Sequence, residues 1–232
     1  MDEGTDVAVN RESTDLTAHA LADSADGLDA LLAAVGRLTE ADLAGPSPLA
    51  GWTRGHVLSH VAGLGGAMLG QTRAAERGEV VPVYPSREAR DAGIEAGAGR
   101  SVAEHLAVLG ALREDLVRAW PAAGASLWAA PSGYREGPLS GCLLAWWREV
   151  RIHSVDALAG TSEEVGYETW DDTLCAHLRD FLAVRLPDGA SLADIQGDPR
   201  DVVAWLAGRM PAMPLRGELP ELGPWPTSGP TR

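Results

Sequence analysis

The chain has 232 residues, 45% of them hydrophobic, with 19 basic and 33 acidic side chains and a formal charge of −14. This is the composition of a folded globular protein with a sizeable core, and the acidic balance excludes nucleic acid and anionic membrane surfaces, since both require a basic face. All 19 basic residues are arginine, so a Schiff-base lysine, a pyridoxal phosphate aldimine and a Walker-type phosphate loop are excluded together.

Cys142 and Cys175 have no CxxC spacing and sit in apolar, helix-patterned surroundings. They are expected to be buried free thiols rather than a disulfide or a zinc cluster. The opening residues are acidic and polar, the opposite of a signal peptide, and no run reaches the roughly 18 apolar residues of a membrane span. A cytoplasmic protein is expected. The absence of Lys, with a single Phe and a single Asn, is what a GC-rich coding sequence produces.

Residues 1–12 read as a disordered tail. From Ser13 the spacing of Leu16, Ala20, Leu28, Leu31, Val35 and Leu38 predicts a helix to about Arg37. A Pro/Gly stretch at 45–51 breaks the pattern, and Thr53 is a natural N-cap for a second long helix ending before Gly78. Residues 78–87 read as an extended loop and 90–97 as a short helical turn. Ser101 and Glu104 form a capping box for a third helix, which stops before Pro121. A fourth covers about 137–158. Four such helices make a four-helix bundle the economical fold.

Past Gly160 the pattern changes. Residues 170–186 predict a helix, 190–196 a short strand, Asp198-Pro199 the start of a helix through Leu206, and 215–219 a last strand. The expected organisation is mainly α: a tail at 1–12, a bundle at 13–163 and a small, reduced α/β domain at 164–232.

Glu149 and His153 stand four apart on the fourth helix, hence on one face, which suits two ligands of one metal ion. His56 and His60 are likewise one turn apart on the second helix, which packs against the fourth in a bundle. Spacing alone leaves open which of them completes the site. Nitrogen and carboxylate donors without thiolate favour zinc, and three protein ligands leave coordination positions open, as in a catalytic site. His19, His105 and His177 have no partner at ligand spacing.

Residues 51–57 (GWTRGHV), the stretch Val81-Pro82-Val83-Tyr84 with Arg90-Asp91 and Ile94-Glu95-Ala96-Gly97, and residues 148–156 (REVRIHSVD) resemble the mycothiol-dependent maleylpyruvate isomerase family. Residues 204–209 (AWLAGR) and the late Leu219-Pro220 and Pro224-Trp225 resemble that family's small C-terminal domain. The resemblance implies a DinB-like four-helix bundle holding a divalent metal, usually zinc, on His56, Glu149 and His153, with His60 a packing or supporting histidine. It implies mycothiol as thiol cosubstrate and a small-molecule substrate.

The chemistry is consistent with such a site. Isomerising a cis enedioate needs a thiolate to add, the new single bond to rotate, and the thiolate to leave; a metal ion can supply thiolate at neutral pH. Arg209 and Arg90 fall in stretches matching the family and are the expected carboxylate clamps, with Arg54 and Arg148 as lesser candidates and Trp52 and Trp147 as pocket or packing residues. The short interval between Phe181 and Asp198 implies a reduced second domain. Relatives that transfer mycothiol onto electrophiles make an S-transferase the first alternative, and a non-catalytic small-ligand-binding protein is the second.

Overall fold

The computed structural model describes residues 3–226, with side chains from residue 15 onward. These residues form nine α-helices: α1 (Glu3–Val35), α2 (Glu40–Ala44), α3 (Arg54–Glu76), α4 (Arg87–Ala98), α5 (Val102–Ala119), α6 (Ala125–Trp128), α7 (Ser140–Leu158), α8 (Asp172–Leu182) and α9 (Pro199–Leu206). They fall into two compact units, residues 1–163 and 164–232.

In the first unit, α1 packs on α7 and α5, and α3 packs on α7 and α5, closing a four-helix bundle. The core is apolar and dense: Leu28, Leu31 and Val35 from α1, Val57, Val61 and Met68 from α3, Leu109 from α5, and Leu143, Trp146 and Val150 from α7 are buried. α4 lies on α3 outside the ring. α1 begins at Glu3, so the backbone is helical where a disordered tail is expected; residues 1 and 2 lie outside the described residues. No proline occurs before Pro46 to stop a helix extending upstream from Ser13.

Helix ends follow the expected capping chemistry. Thr53 and Ser101 cap α3 and α5 through complete capping boxes. Gly78, at φ 70°, follows the end of α3 and donates its N–H to the Ala75 carbonyl, a left-handed position that glycine adopts without strain. α4 is a full helix rather than a turn, because Ser86 accepts the Ala89 N–H and starts it earlier than the apolar pattern suggests.

α3 approaches α5 and α7 closely at Gly65, where an added Cβ would strike Leu112 Cδ2 and sit 2.8 Å from Trp146 Cζ3. Gly65→Val is therefore expected to cost about 1–3 kcal/mol by overpacking, read as a lower denaturation midpoint with an unchanged m-value. An unaltered midpoint would contradict this packing.

In the second unit α8 packs on α9. Asp198 caps α9 with Pro199 at its first position, as the sequence predicts. The two expected strands reduce to one antiparallel bridge, Gln196 with Arg216, exchanging two 2.8 Å hydrogen bonds, while Leu192–Asp194 turns as a 3-10 helix. The short connection after Phe181 leaves no length for a strand pair. Residues 227–232, the end of the domain expected at 164–232, lie outside the described residues.

Candidate metal centre

The facing walls of α3 and α7 bring three donors together. His60, Glu149 and His153 each present one ligand atom, and these atoms lie within 4.8 Å of one another. Glu149 Oε2 is 3.0 Å from His60 Nε2 and 3.0 Å from His153 Nε2. The imidazoles meet edge to face with centroids 4.8 Å apart. Side-chain exposure is 8% for His60, 20% for Glu149 and 11% for His153, so the group is sheltered but reachable.

The surroundings orient these donors. Asp156, 1% exposed, accepts a hydrogen bond from His153 Nδ1–H at 2.8 Å, which leaves Nε2 as the nitrogen aimed at Glu149. Burial alone would push the Glu149 carboxyl up, but hydrogen bonds from His153 and His60 hold it well below the usual range. Burial favours neutral His153, and Asp156 and Glu149 overcome it to raise the imidazole. His60 goes the other way, lowered by its burial. Two imidazoles and a carboxylate on one point are a donor set for a first-row divalent ion, and the carboxylate behind His153 is the support such ligands need. The residues therefore fit the metal implied by the resemblance.

His56 is not part of this group, which corrects the expected set of His56, Glu149 and His153. It occupies the third position of α3, where Nδ1 accepts the Thr53 N–H at 3.2 Å and closes the capping box. Its Nε2 faces Glu95 of α4 at 3.2 Å. His60, one turn deeper and flanked by the edge of Trp52 at 5.5 Å, takes the place expected for His56.

Arg90, on α4, stands with Nη2 3.5 Å from His60 Nδ1 and shares a cavity of about 220 Å³ with His60 and Tyr84. Burial pushes the Tyr84 phenol up to about 12, so it remains a neutral hydrogen-bonding group. Arg209 belongs to the second unit, with Nη1 donating to the Ala207 carbonyl at 2.6 Å. The lesser candidates have structural work: Arg54 donates to the Asp42 and Ala159 carbonyls, buried Arg148 donates to Tyr134 Oη at 3.1 Å, and Trp147 donates to Asp23 Oδ2 at 2.6 Å.

Cys142 and Cys175 are buried free thiols, and burial pushes each up to about 11. Neither is expected to react with iodoacetamide at neutral pH in the folded protein, while both do so in denaturant. Mass spectrometry checks this, and rapid native alkylation of either would contradict it.

A family model described as the mycothiol maleylpyruvate isomerase N-terminal domain matches residues 24–158. The crystal structure of the mycothiol-dependent maleylpyruvate isomerase is similar over 90% of this chain and 97% of that one, with a TM-score of 0.77 and 22% sequence identity. A variant of that enzyme with a histidine replaced by alanine is similar over the same shares, at 0.76 and 22%. No curated protein matches the chain. Among the described residues no helix is long and apolar enough to cross a membrane.

Proposed function

From the premise that this chain belongs to the mycothiol maleylpyruvate isomerase family, we propose that it is a metal-dependent isomerase that uses mycothiol to convert a cis enedioate of the maleylpyruvate type to its trans isomer. The observation that carries this reading is the convergence of His60, Glu149 and His153 beside the Arg90 guanidinium. A divalent ion held by these three, with zinc the best match to the donors, would supply the Lewis acidity that brings a thiol to thiolate at neutral pH.

The chain's own residues set the conditions for that step. Glu149 contributes the negative charge of the ligand set, and Asp156 keeps the His153 proton on Nδ1. Trp52 packs against the ring of His60 and limits its rotation. Arg90 is placed to take a substrate carboxylate, and Tyr84 offers a hydrogen bond beside it. With both cysteines buried and their thiols raised, the nucleophile comes from the cosubstrate. Its sulfur bonds to an alkene carbon, the former double bond turns as a single bond, and the carbon–sulfur bond breaks to return the thiolate, with no net change in atoms.

The test is turnover of maleylpyruvate in three samples: zinc-loaded protein with mycothiol, the same without thiol, and protein stripped by a chelator. Turnover only in the first, restored to the third by zinc, is the expected result. Equal turnover without thiol or after stripping would overturn the reading.

A further inference from the structure

The cavity beside His60 is charged in one sense only. Its walls come from α3, α4, α5 and the loop carrying Tyr84, and the only formal charges lining it are the guanidinium groups of Arg90 and Arg100. In a protein with a net charge of −14, a chamber lined by two guanidinium groups and no carboxylate is a selective environment, with Arg90 Nη1 paired to Asp91 outside the lining at 2.7 Å and its Nη2 turned toward His60.

Arg100 follows α4 and precedes the cap of α5. Among the described residues its guanidinium makes no hydrogen bond or ion pair. Glu104, whose charge it feels, has its carboxylate occupied by the Ser101 N–H and O–H, both at 2.8 Å. Ser59, one residue before His60, also lines the cavity. It is 4% exposed, and its Oγ is buried without a hydrogen-bond partner. A buried hydroxyl left unpaired is destabilising unless something enters to use it.

Gly97 shows how close the two groups are. A Cβ there would meet Arg100 Nη1 and lie 2.6 Å from Ser59 Oγ, so the two groups converge on the Gly97 backbone and a larger residue would displace them.

We propose that Ser59 and Arg100, drawn together by Gly97, form a second carboxylate subsite at the wall of the cavity, so that the chamber selects a doubly charged ligand with one carboxylate at Arg90 and the other at Arg100. The inference rests on the isomerase reading for the identity of the natural ligand, but not for the binding itself. It makes Arg100 and Ser59 specificity-determining residues. The guanidinium provides a charge-assisted, two-pronged contact, and the hydroxyl donates to the same carboxylate.

Calorimetric titration of metal-free protein with adipate tests the proposal, with hexanoate as a singly charged control of the same length. Wild-type protein is expected to bind adipate at least about tenfold more tightly than hexanoate. Arg100→Gln should remove about tenfold of the adipate affinity and change hexanoate less than about twofold. Gly97→Ala, which keeps both donors but displaces them, should also weaken adipate. If Arg100→Gln lowers the melting temperature, Ser59→Ala decides, because it removes a hydroxyl with no partner in the fold and should weaken adipate about threefold. Equal wild-type affinity for the two acids, or unchanged adipate binding in both Arg100→Gln and Ser59→Ala, would overturn the subsite. The titration involves neither metal nor turnover, so absent thiol-dependent activity would sink the isomerase reading while leaving the subsite standing.

Discussion

His60→Ala is expected to purify without its metal and to lose maleylpyruvate turnover by more than about 100-fold, since three protein ligands have no redundancy. His56→Ala, one turn away on the same helix, is expected to keep about one ion per chain. Its cost falls on folding. Losing the Nδ1 acceptor opens one half of the Thr53 capping box, worth about 1 kcal/mol or less, so its melting temperature falls by a few degrees. Elemental analysis of the two variants side by side separates the roles. Metal retained without His60 and lost without His56 would restore the ligand set first expected from the sequence.

Asp156→Asn is expected to weaken metal affinity by about 10–100-fold, as loss of a carboxylate behind a ligating imidazole does. Competition with a chromophoric chelator measures it. The same substitution changes the pH response of the metal-free protein, with a definite sign. His153 is raised above its ordinary 6.5, so its stabilisation is complete below 6.5 and lost as pH rises through its folded value. Glu149 is held well below 4.5, so its stabilisation is complete above 4.5 and lost as pH falls through its folded value. Metal-free wild type should thus be most stable between about 4.5 and 6.5 with respect to these two groups. In Asp156→Asn the alkaline decline should be smaller and end at lower pH, because loss of the Asp156 hydrogen bond brings the folded His153 value down toward the unfolded 6.5 that sets its onset. Melting curves across that range check this, and superimposable alkaline limbs would show that Asp156 does not support His153.

Capping residues and helical spacing made most of the bundle readable before any coordinates. Thr53, Ser101 and Asp198 each start a helix where their side chains can take the free N–H groups, and a glycine follows the ends of α3 and α9. What was missed has physical reasons. Ser86 caps α4, but the prolines before it suggested an extended segment continuing to Arg87. The upstream part of α1 lacks the apolar stripe that marks a buried helix, although nothing in the sequence stops it.

The candidate donor group of His60, Glu149 and His153 was readable in its donor types and in the shared face of two members. Glu149 and His153 share a helix, so their spacing fixes their common face. The third donor depends on how deeply α3 reaches along α7, which spacing within α3 cannot specify. One local signal did distinguish the histidines: Thr53 and His56 stand three apart in capping-box positions, and a side chain committed to a helix terminus is poorly placed to turn inward as a ligand. Arg100 and Ser59 carried no sequence signal, because their meeting at Gly97 depends on α4 folding back over α3.

Mass spectrometry of the product tests the proposed isomerisation most directly. Zinc-loaded protein is incubated with mycothiol and maleylpyruvate beside a control without thiol. A product of unchanged mass and altered double-bond geometry, formed only with thiol, is the predicted result. A stable adduct carrying the thiol would instead make the chain a mycothiol S-transferase, and an unchanged substrate would contradict catalysis on this compound and favour a ligand-binding role.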